Sequence, residues 1–200
     1  MAQRVSSSME VLLGLLTIEP MSGYDLGQMI DESIHHFWNE SYGQIYPNLK
    51  RLASGGFVTR KIQKQRGKPD RNIYSITKKG RERLQRWLQI EPQSEVPRNE
   101  LLLKLFFGSN ASPQTIKGYV EKMAANERVM LERFTFIERE IAKNADYPDA
   151  PYWQMALRFG QIELQAHMRW TEETLTALCK LDKAQDRLSS SRKDKGHAGK

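Results

Sequence analysis

The strongest constraint on the fold is a change of punctuation at Glu91–Pro97, a stretch holding Pro92 and Pro97. Before it, Glu19-Pro20, Gly55-Gly56 and Gly67-Lys68-Pro69-Asp70 cut the chain into short pieces. After it, apolar residues keep helical steps over much longer runs. Short elements must share one core, whereas long amphipathic helices cover their apolar stripes by lying along a neighbour. This predicts a first domain over 1–90, a linker over 91–97, a helical domain over 98–183 and a disordered basic tail over 184–200. A chain of 200 residues has room for that plan.

Within the first part, Ser6, Ser7 and Ser8 offer capping oxygens ahead of Val11, Leu12, Leu15 and Leu16, spaced as one buried helix face. Glu19-Pro20 ends this helix. Ser22 caps a second helix from Gly23 to about Glu32, with Leu26, Met29 and Ile30 inward. A third begins near Ser41, runs through Ile45, Leu49 and Leu52, and stops at Gly55-Gly56. Phe57 to Ile62 and Asn72 to Ile76 read as strands joined by a basic turn. Thr77 then caps a helix through Leu84, Trp87 and Leu88. Beyond the linker the expected helices are Asn99 to Phe107, Pro113 to about Lys143, and about Pro151 to Lys183. The fold class is therefore mainly α with a small β-hairpin: an N-terminal winged helix-turn-helix followed by an all-α dimerisation domain.

Charge distribution gives this plan a function. The net charge is +7, yet residues 48–86 hold thirteen bases against only Asp70 and Glu82. Three helices and a basic hairpin are the parts of a winged helix, whose third helix enters the major groove while the hairpin touches phosphate or the minor groove. Lys50 and Arg51 fall on the third helix, and Lys64, Arg66, Lys68 and Arg71 on the hairpin. Such side chains neutralise phosphates and release counterions. Gln44 and Tyr46 can present hydrogen-bonding tips to bases or phosphates, and Ser41 with the helix N-terminus suits a phosphate. The predicted partner is double-stranded DNA. Charge reversal at Arg66 and Lys68 is expected to abolish DNA retention while sparing pairing between proteins; loss of neither would favour the competing class, a protein-interaction module.

The helical half carries surplus apolar surface. Leu157, Leu164, Met168, Leu175 and Leu178 form a stripe on the last helix, and its excess predicts burial against a second chain. Trp87, Trp153 and Trp170 fit either a cavity for a flat aromatic effector or the core and dimer interface. Glu127 breaks the stripe of the long middle helix. His35-His36 with Glu32 lacks a third ligand, so no metal is expected. No catalytic motif or cofactor signature is present, which argues against an enzyme. The lone Cys179 suits a reducing compartment. Glu10 precedes the apolar run Val11–Leu16 and no small-residue cleavage site follows it, so the expected location is cytoplasmic, with no membrane partner.

Several motifs in register resemble the PadR family of transcriptional regulators. They are Leu12-Leu13-Gly14-Leu15-Leu16, Pro20 with Ser22-Gly23-Tyr24-Asp25-Leu26, Gly43-Gln44-Ile45-Tyr46-Pro47-Asn48-Leu49-Lys50-Arg51-Leu52, Gly56-Phe57-Val58, Arg66-Gly67-Lys68-Pro69, Tyr74-Ser75-Ile76-Thr77, and Gly80. The second half is similar to the helical extension of longer members through Glu100–Phe107 and Trp170-Thr171-Glu172-Glu173. The resemblance implies a homodimer that sets two winged helices on a palindromic operator, represses transcription, and in many relatives is released by a small molecule. It also implies recognition helices about 34 Å apart, one turn of DNA.

Overall fold

The computed structural model describes residues 7–38, 41–64, 70–92 and 98–197, with side chains through residue 184. The chain divides into two compact units, Met1–Ser94 and Glu95–Lys200.

The first unit runs α1 (Ser8–Ile18), β1 (Met21–Ser22), α2 (Gly23–Met29), a π-helical turn (Ile30–Ile34), α3 (Tyr42–Ser54), β2 (Val58–Gln63), β3 (Arg71–Ile76) and α4 (Lys78–Leu88). Leu12, Leu13, Leu15 and Leu16 of α1 meet Leu26, Ile30, Ile45, Leu49, Leu52, Val58 and Tyr74 in one buried cluster. Each fully buried large aliphatic contributes roughly 1.5–3 kcal/mol. That shared burial, more than intrinsic propensity, holds helices this short.

The helix ends are specified locally. Ser22 Oγ accepts from Asp25 N at 3.2 Å while Asp25 Oδ2 accepts from Ser22 N at 3.1 Å, a capping box that starts α2. After α3, Gly56 takes φ +70°. There Phe57 N donates to Leu52 O at 2.9 Å and Gly56 N to Ala53 O at 3.0 Å, which satisfies the carbonyls at the helix end. Thr77 Oγ1 accepts from Gly80 N at 3.1 Å and donates to Gly56 O at 2.8 Å, tying the start of α4 to that same turn.

Two features depart from the expected pattern. The hairpin gains a third strand, because Met21 and Ser22 pair with Tyr74 and Ile73 and the sheet order becomes β1-β3-β2. Two residues are too few to show a period of two, so only their distant partner reveals the strand. The second helix also widens into a π-helical turn over Ile30–Ile34.

The second unit contains α5 (Glu100–Phe106), a 3-10 turn (Gly108–Asn110), α6 (Pro113–Lys143) and α7 (Ala150–His197). Phe134, Ile137 and Ile141 pack with Leu157 and Leu164, whereas Ile116 and Val120 pack with Leu178. The end of α6 thus meets the beginning of α7, so the two helices form an antiparallel hairpin. Leu101 and Leu105 of α5 rest on the Ile116–Val120–Leu178 cluster. Glu127 is buried in this seam and accepts a hydrogen bond from Thr171 Oγ1 at 3.0 Å, which explains the interrupted stripe. No strand occurs among the described residues of this unit.

Helix α7 continues to His197, past Lys183, so the tail read from sequence as disordered is helical to that point. Residues 184–195 hold neither glycine nor proline. Adding residues to an existing helix needs no new nucleus, which is why apolar content alone misjudged this stretch.

Candidate nucleic-acid interface

The outward face of α3 is the centre of the site. Ser41 caps the helix, its Oγ accepting from Gly43 N at 3.3 Å. Ile45, Asn48, Leu49 and Leu52 turn inward, leaving Ser41, Gln44, Tyr46, Lys50 and Arg51 exposed. Arg51 Nη1 donates to Asn48 Oδ1 at 3.3 Å. No carboxylate occurs anywhere in α3. The positive end of the helix dipole at Ser41–Gly43 adds to the attraction for a phosphate.

The wing stands clear of the core. Of β2 only Val58 is buried, and Arg60, Lys61 and Lys64 are exposed along it. Arg60 pairs with Tyr74 and Gln63 with Arg71 across the ladder. The expected contacts Arg66 and Lys68 lie outside the described residues.

Not every base of the charge block faces outward. Arg71, expected on the DNA-contacting wing, donates through Nη2 to Asp25 Oδ1 at 2.5 Å and Ser22 Oγ at 2.9 Å, so its guanidinium pins β3 to the cap of α2. Lys79 Nζ donates to Gly55 O at 2.9 Å and stands over the Phe57 ring. Arg83 bonds the buried Glu10. Sequence separations of 46 and 73 residues hide the Asp25–Arg71 and Glu10–Arg83 pairs from any reading of local spacing.

Burial works to raise the Asp25 carboxyl, but hydrogen bonds from Ser22 and the Arg71 guanidinium outweigh it and hold Asp25 below the usual 3.8. Since the unfolded chain lacks these partners, their stabilisation is complete above that ordinary value and fades as pH falls through the lower folded one. Solvent reaches both side chains, so the pair contributes about 1 kcal/mol. Urea denaturation should find Arg71→Met less stable than the parent at pH 5, with the difference closing towards pH 3.

The positions expected to pair with a second chain are taken up within one chain. Leu157, Leu164 and Leu178 are buried against α6, and Met168 and Leu175 pack on the same clusters. The most apolar face of α7 thus packs on its neighbour in the hairpin, where α6 offers a matching stripe, and Met168 and Leu175 stay half-buried. The face left open on α7 carries Tyr152, Met155, Phe159 and Ile162, while α5 exposes Leu102, Leu103 and Phe106, followed by the exposed Phe107 at its C-cap.

Two of the tryptophans, Trp153 and Trp170, lie far apart on α7. Trp153 packs on the Phe134–Ile137–Leu157 cluster, its ring 5.9 Å from that of Tyr147. Trp170 lies seventeen residues further along α7, about 25 Å along the helix axis, so within one chain these two line no common pocket. Trp87 is half-buried on α4 of the first unit. Among the described residues no cluster of three metal-ligating side chains occurs, and no helix is long and apolar enough to cross a membrane.

A helix pair presenting an acid-free helix, backed by a three-stranded sheet with a projecting basic hairpin, defines a winged-helix DNA-binding protein. The profile of the "Transcriptional regulator PadR-like family" matches residues 12–86, and that of "Virulence activator alpha C-term" matches residues 97–179. The chain belongs to the PadR family of transcriptional regulators. It is 36% identical over 104 residues to the negative transcriptional regulator PadR of Bacillus subtilis, a match spanning 52% of this chain and 57% of that protein. The crystal structure of Bacillus subtilis PadR in complex with operator DNA superposes with a TM-score of 0.72 at 26% identity, covering 86% of this chain and 99% of that one. The same protein in complex with p-coumaric acid gives 0.65, again at 26% identity, with coverages of 86% and 99%.

Proposed function

We propose that the chain represses transcription as a homodimer, each subunit placing α3 and its wing on one half of a palindromic operator in the cytoplasm. The observation that carries this reading is the acid-free face of α3, where Ser41, Gln44, Tyr46, Lys50 and Arg51 lie exposed together. Gln44 and Tyr46 supply hydrogen-bonding tips, Lys50 and Arg51 supply charge, and Lys64, Arg66 and Lys68 extend the contact along the wing. Occupancy of a promoter would exclude polymerase. The 1–90 part reads DNA and the 98–183 part pairs the subunits.

The pairing surface is the open face of α7. Tyr152, Met155, Phe159 and Ile162 follow alternating steps of three and four, the spacing of a helix–helix seam, and are 51–68% exposed. Phe159→Glu with Ile162→Glu is expected to turn a dimer into a monomer in analytical ultracentrifugation. Operator affinity should fall about a hundredfold or more, because two linked half-sites bind far more tightly than one.

A small aromatic effector would release the operator by binding better to the subunit arrangement that does not match it. The p-coumaric acid complex of the Bacillus relative supports this class of ligand. The test is binding to fluorescent DNA covering the chain's own upstream region, titrated with salt against a scrambled duplex and repeated with aromatic acids. Tight, sequence-dependent binding weakened by an acid would support the whole scheme. Unchanged affinity at saturating acid would remove the effector, and equal weak binding to both duplexes would remove that operator.

A further inference from the structure

Helices α2 and α3 meet through two glycines and two tyrosines set one turn apart on each. A methyl group built on Gly23 would stand 2.7 Å from Cε1 of Tyr46, and one on Gly27 would run into the ring of Tyr42. Each ring therefore lies in a notch that only glycine leaves open. Tyr42 has a second hold. Its hydroxyl donates to Asp31 Oδ2 at 2.9 Å, a carboxylate carried by the π-helical turn that follows α2. His35 Nδ1 faces the other oxygen of Asp31 at 3.7 Å. The bond to Asp31 pushes the Tyr42 phenol above its ordinary value of 10.0, with burial and the charges of Asp31, Tyr24 and Glu32 acting in the same direction.

Tyr42 is the first residue of α3 and stands beside Ser41, the cap placed above at the phosphate. A ring seated on Gly27 and a hydroxyl held by Asp31 constrain this terminus at two points, in addition to the core beneath it. We propose that Tyr42 is a positioning residue for DNA recognition: Gly27 and Asp31 hold it so that the first turn of α3 presents Ser41 and Gln44 at a fixed angle. The inference rests on α3 being the DNA-reading helix. Tyr42 itself reads nothing, because its only donor is engaged by Asp31.

The test is a double-mutant cycle on the duplex retained in the binding experiment, with Tyr42→Phe, Asp31→Ala and their combination. Each single variant should lose about fivefold to tenfold in specific affinity, the scale of one ordinary hydrogen bond in a solvent-exposed setting. The double variant should lose no more than either, and Asp31→Asn, which keeps an acceptor, should stay close to the parent. Affinity for the scrambled duplex should hold or rise, since no cation is removed. A phenol that touches DNA itself would instead give a loss in Tyr42→Phe, none in Asp31→Ala, and additivity. A carboxylate that only repels DNA would make both Asp31 variants bind more tightly. Either result overturns the proposal. Amide hydrogen exchange at Gly43, Gln44 and Ile45 tests the latch without DNA: equal acceleration in Tyr42→Phe and Asp31→Ala, with none in Asp31→Asn, is expected. Unchanged exchange would overturn the latch, whereas failure of the parent to bind any duplex would overturn the DNA reading and leave the exchange result standing.

Discussion

Replacing Arg83 by Met should destabilise the first unit by about 3 kcal/mol, the loss typical of an ion pair broken from one side in a buried setting. Glu10 is only 3% exposed, and its Oε1 accepts from Arg83 Nε at 2.9 Å and Nη2 at 2.6 Å. Its Oε2 has no hydrogen-bond partner among the described residues. Without the guanidinium, a carboxylate on the buried face of α1 is left with nothing to compensate its lost hydration. Arg83 also stands over the Phe57 ring, 5.0 Å from its centroid, so the same change removes a cation–π contact. For a domain of this size the loss corresponds to a melting point lower by about 12 °C or more. Combining Glu10→Leu with Arg83→Met should recover most of it, because two apolar groups of similar volume leave no charge behind. Thermal denaturation followed by circular dichroism decides the matter; a double variant as unstable as Arg83→Met would show that shape and not charge governs this contact.

The second large effect concerns DNA. Reversing Lys50 and Arg51 to Glu should lower affinity about a hundredfold near 0.1 M salt and flatten the slope of log K against log salt by about 2, the loss of two neutralised phosphates plus the repulsion of two carboxylates. Both side chains are exposed, so folding should change little. Salt titrations of the two proteins on one duplex would measure this, and an unchanged slope would take Lys50 and Arg51 out of the interface.

Arg71 and Arg83 show that a block of charge does not by itself say which bases are already paired within the chain. Arg71 is tied to Asp25 and Ser22, and Arg83 to Glu10. From spacing alone, each is indistinguishable from Lys50 or Arg81, because the deciding carboxylate comes from another element. The same holds for Leu157, Leu164 and Leu178: their stripe was legible, but whether it meets another chain or α6 depended on how α6 and α7 fold back. Gly23 and Gly27, one turn apart beside the capping box, were the one local hint of the α2–α3 notch.

What the sequence determined by itself was every feature whose cause acts within a few residues. Ser22, Ser41, Thr77, Asn99 and Ser112 cap the helices they precede, Gly56 supplies the left-handed turn, and the change of period at Glu91–Pro97 separates a winged helix from a helical hairpin. Tertiary structure alone decided the third strand at Met21–Ser22, the buried Glu10–Arg83 pair, the Glu127–Thr171 bond in the α6–α7 seam, and the seating of Tyr42 on Gly27 against Asp31. Each of these joins groups on different elements. A strand bond, an ion pair or a ring in a notch exists only once the core has brought its two halves together, and nothing in the neighbourhood of either half announces the other.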